Sequence, residues 1–130
     1  MEKALEKKNV QGGGFLFNHP HFSEIFIPEE FNDEQKMMAK ATQDFIDKEV
    51  IPLVDRIDAL EEGLMSSIMT KAGELGLLGV CVPEQYGGLG MSFNTGMLIA
   101  DIVASAGSFT TAYGAHTAIG TLPILYYGDN

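Results

Sequence analysis

The sequence of 130 residues is poor in cysteine, in basic residues and in long apolar runs. Its single cysteine, Cys81, cannot form an intramolecular disulfide, and the N-terminus carries neither a signal-peptide nor a transit pattern, which predicts a cytoplasmic protein. Eight Lys and Arg against 18 Asp and Glu give a net charge of −10 without a basic cluster. Nucleic acids and anionic membrane surfaces are therefore not expected as partners. No uninterrupted apolar run reaches the roughly 18 residues of a spanning helix, so stable membrane insertion is not expected either.

The charges that are present lie mostly in the first half of the chain. Residues 1–62 hold 7 of the basic and 14 of the acidic residues, and residues 63–130 hold the remaining 1 and 4. Between Ser92 and Gly128 the only charged residue is Asp101. We interpret this stretch as two helices that are buried on most sides, either in this domain or against a neighbour that the chain does not contain.

Apolar residues recur at helical spacing in two early segments. The first helix is predicted from the cap at Asn32–Asp33 to about Val50, where Pro52 ends or kinks it. Its apolar stripe is Met38, Ala41, Phe45 and Ile46. A second helix is predicted after Glu62, with Gly76 as a left-handed C-terminal cap. Its stripe is Leu64, Ile68, Ala72 and Leu75.

Two further helices are predicted in the uncharged half of the chain. They span residues 92–107 and 108–126, with Pro123 disturbing the last turn, and residues 79–90 form an extended loop. No period-2 strand pattern competes with these four helices. The predicted fold class is therefore all-α, a small up-and-down helical bundle formed by residues 32–130.

An extended N-terminal arm is predicted for residues 1–31. Residues 1–8 resemble a frayed charged helix or tail, and Gly12–Gly14 is a flexible break. Pro20 and Pro28 should prevent a helix from propagating through the arm, which we expect to pack on the domain surface. The apolar residues that favour this packing are Phe15, Phe17, Phe22, Phe26, Ile27 and Phe31.

Most patterns that suggest chemistry have a simpler structural interpretation. A bridged metal pair in a helical bundle needs Glu-x-x-His motifs, which are absent, and the loop sequence His19-Pro20-His21 is expected to face solvent, so no metal site is expected. Cys81 lies in an apolar stretch without a neighbouring cation, which favours a small buried hydrophobe over a nucleophile. The segment Gly87–Gly90 lacks the lysine of a phosphate-binding loop and predicts a tight connection.

The fourth predicted helix carries a run of small residues around His116. In one interpretation these residues allow close helix packing, with His116 satisfied by a backbone carbonyl, and this is the favoured one. In the other interpretation, the small side chains leave a groove that has space for a long apolar ligand, and Tyr86 and Tyr113 lie at its rim. The candidate groove residues are Thr111, Gly114, Ala115 and Ala118.

Three segments resemble the acyl-CoA dehydrogenase family. KAGELGLLGVCVPEQYGGLGMSFNTGMLIADI, residues 71–102, is similar to the family's second-to-third helix region, where a GELGLLG helix end precedes a PEEYGG-type loop. EQKMMAKATQDFIDKEVIPL, residues 34–53, is similar to its first helix, and residues 107–130 to the helix before its first domain boundary. The GAHTAIG segment and the arm sequence IFIPEEF are most similar to the very-long-chain branch.

The resemblance implies an FAD-dependent enzyme that removes an α-proton and a β-hydride from an acyl-CoA thioester in β-oxidation. Residues 32–130 match the first of three domains. The flavin-binding β-domain and the catalytic glutamate belong to the later domains. No catalytic residue is therefore expected here, neither Glu84 nor Asp101, and the chain is expected to be an inactive part of a longer protein. An electron-transfer flavoprotein or a similar acceptor is the implied redox partner.

The resemblance also implies a function for the uncharged helices as an acyl-chain wall. Ala115 aligns with a bulkier acidic residue of the medium-chain relatives, which predicts a deeper pocket and a preference for long chains. If no other domain covers these helices, we expect copies of the chain to associate through their exposed apolar surface. Two alternatives stay open: a free-standing helical binding or assembly module, whose uncharged face is covered internally, and the same domain of an acyl-CoA oxidase or nitroalkane oxidase.

Overall fold

The computed structural model describes residues 13–18, 21 and 24–129, without the side chain of residue 15. The chain divides into two compact units, residues 1–33 and residues 34–130. Among the described residues, no helix combines the length and the apolarity that crossing a membrane requires.

The described part of the first unit contains two short helical turns. Helix α1 (Gly14–Phe17) is a single turn, and Pro28–Glu30 forms a 3-10 turn. Pro28 stands at the start of its turn, where its missing N–H is not needed, so it initiates helical structure instead of preventing it. Phe26 packs edge-to-face on Phe31 with ring centroids 5.0 Å apart. The predictions for residues 1–8, Gly12, His19, Pro20 and Phe22 lie outside the described residues.

Helices dominate the second unit, and the described residues contain no strand, which confirms the predicted all-α class. Four helical stretches are separated by turns, as predicted. The α-helices are α2 (Asp33–Phe45), α3 (Val54–Asp58), α4 (Leu64–Glu74), α5 (Phe93–Val103), α6 (Ser108–Gly114) and α7 (Thr121–Tyr127).

The first helical stretch continues past Pro52 to the end of α3. After α2 the chain widens into a π-helical segment, Ile46–Val50, and then narrows into a 3-10 turn, Ile51–Leu53. A proline lacks the N–H for the i−4 hydrogen bond and its ring clashes with the i−4 carbonyl, so the change in winding accommodates Pro52 without ending the helix. The helical stretch therefore runs about two turns past the predicted end near Val50, and the predicted disturbance at Pro52 is a change in winding.

The core is formed by residues from every helical stretch of this unit. Its largest fully buried side chains are Phe109, Ile46, Ile68, Leu77, Ile99, Val50 and Val103. Phe45, Ile46, Ile68 and Ala72 are buried as predicted. Two predicted core residues were wrong: Ala41 and Leu75 are exposed. Thr42 is buried in place of Ala41, and its hydroxyl donates to the carbonyl oxygen of Met38 at 2.8 Å.

Residues 76–91 connect α4 to α5. Gly76 has φ +76°, which confirms the predicted left-handed cap. The 3-10 turn Leu77–Gly79 leads into the predicted loop, residues 79–90, and the loop is not extended throughout, because it contains the 3-10 turn Glu84–Tyr86. A Cβ on Gly88 would lie 2.1 Å from the carbonyl oxygen of Val82, so Gly88 permits this part of the connection to fold tightly.

Helix α5 begins where the sequence predicts. Ser92 caps it, because its hydroxyl accepts a hydrogen bond from the backbone N–H of Thr95 at 3.4 Å. Gln35 of α2 donates through Nε2 to the buried Thr95 hydroxyl at 2.8 Å and to the Ser92 hydroxyl at 3.4 Å. These bonds hold the start of α5 against α2.

Candidate functional site

A cavity of about 420 Å³ lies between α5, the connection before it and the helix formed by residues 108–127. The connection contributes Leu77, Leu78, Val80, Cys81, Val82 and Met91. One face of α5 contributes Phe93, Gly96, Met97, Ala100 and Val103. The residue 108–127 helix contributes Thr110, Tyr113, Gly114, Thr117, Ala118, Leu122 and Tyr126.

The wall of this cavity carries no charged side chain from the described residues. Aliphatic, aromatic and sulfur-containing side chains form most of it, and both helices contribute small residues, Gly96 and Ala100 from α5 and Gly114 and Ala118 from the residue 108–127 helix. A partly enclosed apolar space of this size suits a hydrocarbon ligand. It offers no acid or base for catalysis.

Cys81 packs against α5. Its thiol donates to the carbonyl oxygen of Ser92 at 3.6 Å, and burial raises the pKa of the Cys81 thiol despite a hydrogen bond from the Gly96 backbone. A Cβ on Gly96 would lie 2.7 Å from Cys81 Sγ. The structure therefore agrees with the predicted packing role for Cys81, and a thiolate is disfavoured.

Tyr113 is a core residue that also contacts the cavity. Its side chain is buried, and its hydroxyl donates to the carbonyl oxygen of Leu77 at 2.9 Å. Burial, with a smaller contribution from Cys81, raises the pKa of Tyr113 to about 12. The phenol thus stays protonated at physiological pH and holds α6 to the turn at Leu77–Gly79.

The structure separates the four predicted groove residues into two pairs. Gly114 and Ala118 lie on the cavity wall. Thr111 and Ala115 do not line the cavity and are exposed on the other side of the helix. The cavity face runs through Thr110, Tyr113, Gly114 and Thr117, at i, i+3, i+4 and i+7, so it is the helical face next to the one that was predicted.

The other polar candidates lie away from this cavity. Tyr86 is exposed and lines a neighbouring hollow with Val82, Thr121 and Ile124, so it is not on the rim of the cavity. His116 and Asp101 are exposed and do not line the cavity. Glu84 contributes to a separate hollow. None of the described carboxylates reaches the cavity wall.

The resemblance implied that both uncharged helices form the wall, but sequence reasoning named no wall residue of α5 and missed the contribution of the connection before it. The signal was present in α5, where Phe93, Gly96, Met97 and Ala100 follow the i, i+3, i+4, i+7 spacing of one helical face. The contribution of Cys81 and Val82 had no such signal, because it depends on how the connection folds over the helices.

Comparison with known proteins identifies the family. The sequence profile of the acyl-CoA dehydrogenase N-terminal domain matches residues 32–130. A probable acyl-CoA dehydrogenase of Bacillus subtilis (strain 168) is 46% identical over 127 residues, which cover 97% of this chain and 21% of that protein. The mitochondrial isovaleryl-CoA dehydrogenase of Solanum tuberosum is 30% identical over 122 residues, covering 90% of this chain and 30% of the relative.

A solved structure shares both the fold and the sequence. The crystal structure of an acyl-CoA dehydrogenase complexed with FAD from Bacillus anthracis matches with a TM-score of 0.86 and 43% identity, over 92% of this chain and 21% of that one. This chain therefore spans about a fifth of the length of these two bacterial relatives. With the profile match over residues 32–130, these likenesses show that the chain belongs to the acyl-CoA dehydrogenase family, as its N-terminal helical domain.

Proposed function

We propose that this chain is the acyl-chain-binding helical domain of an FAD-dependent acyl-CoA dehydrogenase that acts on long-chain substrates in fatty-acid β-oxidation. The observation that carries the proposal is the cavity of about 420 Å³ without a charged wall residue, in a domain of this family. In such an enzyme FAD would supply the hydride acceptor for the β-carbon, and a carboxylate base for the α-proton would come from outside this chain.

The described residues do not themselves fit a flavin. The segment Gly87–Gly90 is the nearest approach to a phosphate cradle, but its space is filled by the chain's own backbone, since a Cβ on Gly88 would lie 2.1 Å from the Val82 carbonyl oxygen. We therefore assign flavin binding and the catalytic base to the parts of the enzyme that this chain does not span. No step of the reaction is assigned to residues of this chain.

The contribution of this chain is binding and exclusion of water. We assign Gly114 and Ala118 to the acyl-chain wall because they line the cavity, to which Gly96 and Ala100 also contribute. An apolar wall stabilises each buried methylene by about 0.8 kcal/mol, so binding along it favours longer chains before ordering costs are counted.

Thr111, Ala115 and Tyr86 remain alternative wall residues. Thr111 and Ala115 form an exposed strip of small side chains on the outer side of the residue 108–127 helix. This strip contributes to an acyl-chain pocket if another part of a longer enzyme covers it. Tyr86 lines the neighbouring hollow, and it likewise contributes to an acyl-chain pocket if another part of a longer enzyme covers that hollow.

The partners follow from the same assignment. Acyl-CoA is the proposed substrate, and an electron-transfer flavoprotein or a similar acceptor is the proposed redox partner in the cytoplasm. Relatives in the very-long-chain branch are the proposed nearest group.

We also propose that the chain by itself self-associates, because Phe93, Ile119 and Ile124 are exposed apolar side chains in the uncharged half. Their exposure does not favour a free-standing module, whose apolar face would be covered internally.

Two variants of neighbouring residues test which side of the helix binds the acyl chain. In the full-length enzyme that carries this chain, Gly114→Leu places a side chain in the cavity, whereas Ala115→Leu places one on the outer face. We expect Gly114→Leu to lower kcat/KM for hexadecanoyl-CoA by about tenfold or more, since it removes at least two methylenes of space. Butanoyl-CoA should be affected by less than about threefold.

Three results would contradict parts of this proposal. An enzyme that turns over butanoyl-CoA better than hexadecanoyl-CoA would exclude the long-chain assignment. A loss of hexadecanoyl-CoA turnover in Ala115→Leu alone would move the wall to the outer strip. Absence of flavin-dependent acyl-CoA dehydrogenation in the wild-type enzyme would refute the proposed function itself.

A further inference from the structure

The methionines of the described residues differ in how far water reaches them. Met37 and Met97 are exposed, at 69% and 54%. The others are partly buried and pack against the core: Met38, Met65, Met69 and Met91. An oxidant dissolved in water therefore reaches the thioethers of Met37 and Met97 first.

Met97 differs from Met37 in what lies beside it. Met97 belongs to the face of α5 that lines the cavity, together with Gly96 and Ala100. Met37 belongs to α2 and lines a separate hollow. Among the described residues, Met97 is thus the one methionine that is both exposed and part of the cavity wall.

The other sulfur-containing residues of this wall are protected from oxidation. Met91 packs against the core. The Cys81 thiol donates to the Ser92 carbonyl at 3.6 Å, and burial raises the pKa of the Cys81 thiol, so little of the reactive thiolate is present. A thioether carries no proton and reacts without ionising. Met97 is therefore the sulfur on this wall that a neutral oxidant attacks most readily.

We propose that Met97 is a site of reversible oxidation by hydrogen peroxide, and that its sulfoxide weakens the binding of an apolar chain in the cavity. A lone pair of Sδ attacks one peroxide oxygen, so that an S–O bond forms and the O–O bond breaks. The hydroxide that leaves takes the proton from the transferred oxygen and becomes water. The sulfur loses two electrons and the peroxide gains them. The inference rests on the proposed acyl-chain function and adds regulation to the same cavity.

The sulfoxide makes one part of the apolar wall polar. Its oxygen accepts hydrogen bonds from water, and a hydrocarbon chain placed against it removes that water without offering a donor. Because Met97 stays about half exposed, water on its outer side offsets part of this cost. We therefore expect binding to weaken by about three- to tenfold.

The first test measures where the chain is oxidised. The 130-residue chain is treated with dilute hydrogen peroxide, and the sulfoxide at each methionine is followed over time by peptide mass spectrometry. Met97 should be oxidised about tenfold faster than Met91 and within about threefold of Met37. Oxidation of Met97 that is no faster than that of Met91 would overturn the assignment of the site.

The second test measures binding with 1-octanol, a neutral chain that dissolves well enough to be titrated. NMR shifts of the Ala100 and Ala118 methyl groups follow its binding, and each protein is compared with its own untreated sample. Peroxide should weaken binding to the wild type and to Met37→Leu by about three- to tenfold, and to Met97→Leu by less than about twofold. Treatment of the oxidised wild type with methionine sulfoxide reductases A and B should restore its affinity.

Several outcomes would overturn the inference. One is a loss of affinity in treated Met97→Leu that equals the loss in the wild type. Another is complete oxidation of Met97 with unchanged affinity. A loss that disappears in Cys81→Ala would move the oxidised site to the cysteine. An untreated chain that does not bind 1-octanol would leave no binding to regulate. The proposed function fails separately, if the untreated full-length enzyme does not dehydrogenate hexadecanoyl-CoA.

Discussion

At four glycines of this chain, the backbone conformation and the neighbouring atoms decide whether glycine is required. Gly76 has a positive φ, Gly88 lies against the Val82 carbonyl, Gly96 lies against Cys81, and Gly114 has no such neighbour. The sequence predicts the first of these, because a glycine after an apolar helical stripe is the usual left-handed cap. The other three look alike in sequence, and only the position of atoms from other segments distinguishes them.

The close contact between Gly96 and Cys81 leads to a prediction at this scale. Gly96→Ala should lower the free energy of unfolding by about 1–3 kcal/mol, because the new methyl group overlaps Cys81 Sγ and forces the connection away from α5. In a Cys81→Ala background the same change should be neutral or stabilising by up to about 1 kcal/mol, since the overlap is gone and alanine favours the helix. Urea unfolding of the four proteins measures this coupling.

The same four proteins also test whether the overlap with Cys81 causes the loss of stability. If Gly96→Ala lowers stability equally in both backgrounds, the steric contact with Cys81 is not the cause. Gly73→Ala in α4 is a suitable control, because its added Cβ makes only an ordinary contact of 3.4 Å with Leu78.

At the scale of whole elements, proline has a common effect in two helices. A π-helical segment precedes Pro52, and another precedes Pro123, so the helix in both cases widens before the residue that cannot donate. The sequence predicts the disturbance at each proline but not its form, because the choice between ending, kinking and widening depends on the packing of the following turn.

The attachment of α5 to α2 gives a prediction for these elements. Gln35→Met should lower the free energy of unfolding by about 1–2 kcal/mol, because the buried Thr95 hydroxyl loses the amide that donates to it at 2.8 Å. Gln43→Met on the same helix is the matched control. Gln43 is exposed and donates to Asp47 one turn further along the same helical stretch, so the change should stay within about 0.5 kcal/mol.

Thermal or urea unfolding compares the two variants directly. Equal losses of stability in Gln35→Met and Gln43→Met would contradict a specific role for the buried hydrogen bond. Hydrogen exchange at the first turn of α5 adds a local readout, because only Gln35→Met should accelerate exchange of the Thr95 amide.

At the scale of the molecule, charge and apolar surface are distributed unequally. The uncharged half leaves Phe93, Ile119 and Ile124 at 69%, 79% and 74% exposure. Side chains of this kind are normally covered by another surface when several lie in one segment. The net charge of −10 opposes the association of copies that these side chains favour.

This opposition predicts how the proposed self-association responds to salt. Raising the ionic strength screens the repulsion between copies but leaves apolar burial intact, so association should strengthen from low to high salt. Sedimentation velocity at several concentrations measures it. The variant Ile119→Lys should weaken association, whereas Met37→Lys, at a comparably exposed methionine of α2, should affect it less.

A monodisperse monomer at all salt concentrations would contradict the proposal. Equal weakening by Ile119→Lys and Met37→Lys would show that a general change in net charge, and not this apolar surface, controls association.

The sequence by itself determined the helical class, the four helical stretches, the cap at Gly76, the start of α5 and the family. These features depend on local spacing, capping and motifs, which are present in the order of residues whatever the rest of the chain does. Only the tertiary structure decided that Thr42 replaces Ala41 in the core, that Gly114 and Ala118 but not Ala115 line the cavity, and which residues of α5 line it. The physical reason is that burial and cavities arise where segments distant in sequence meet, which local spacing does not reveal.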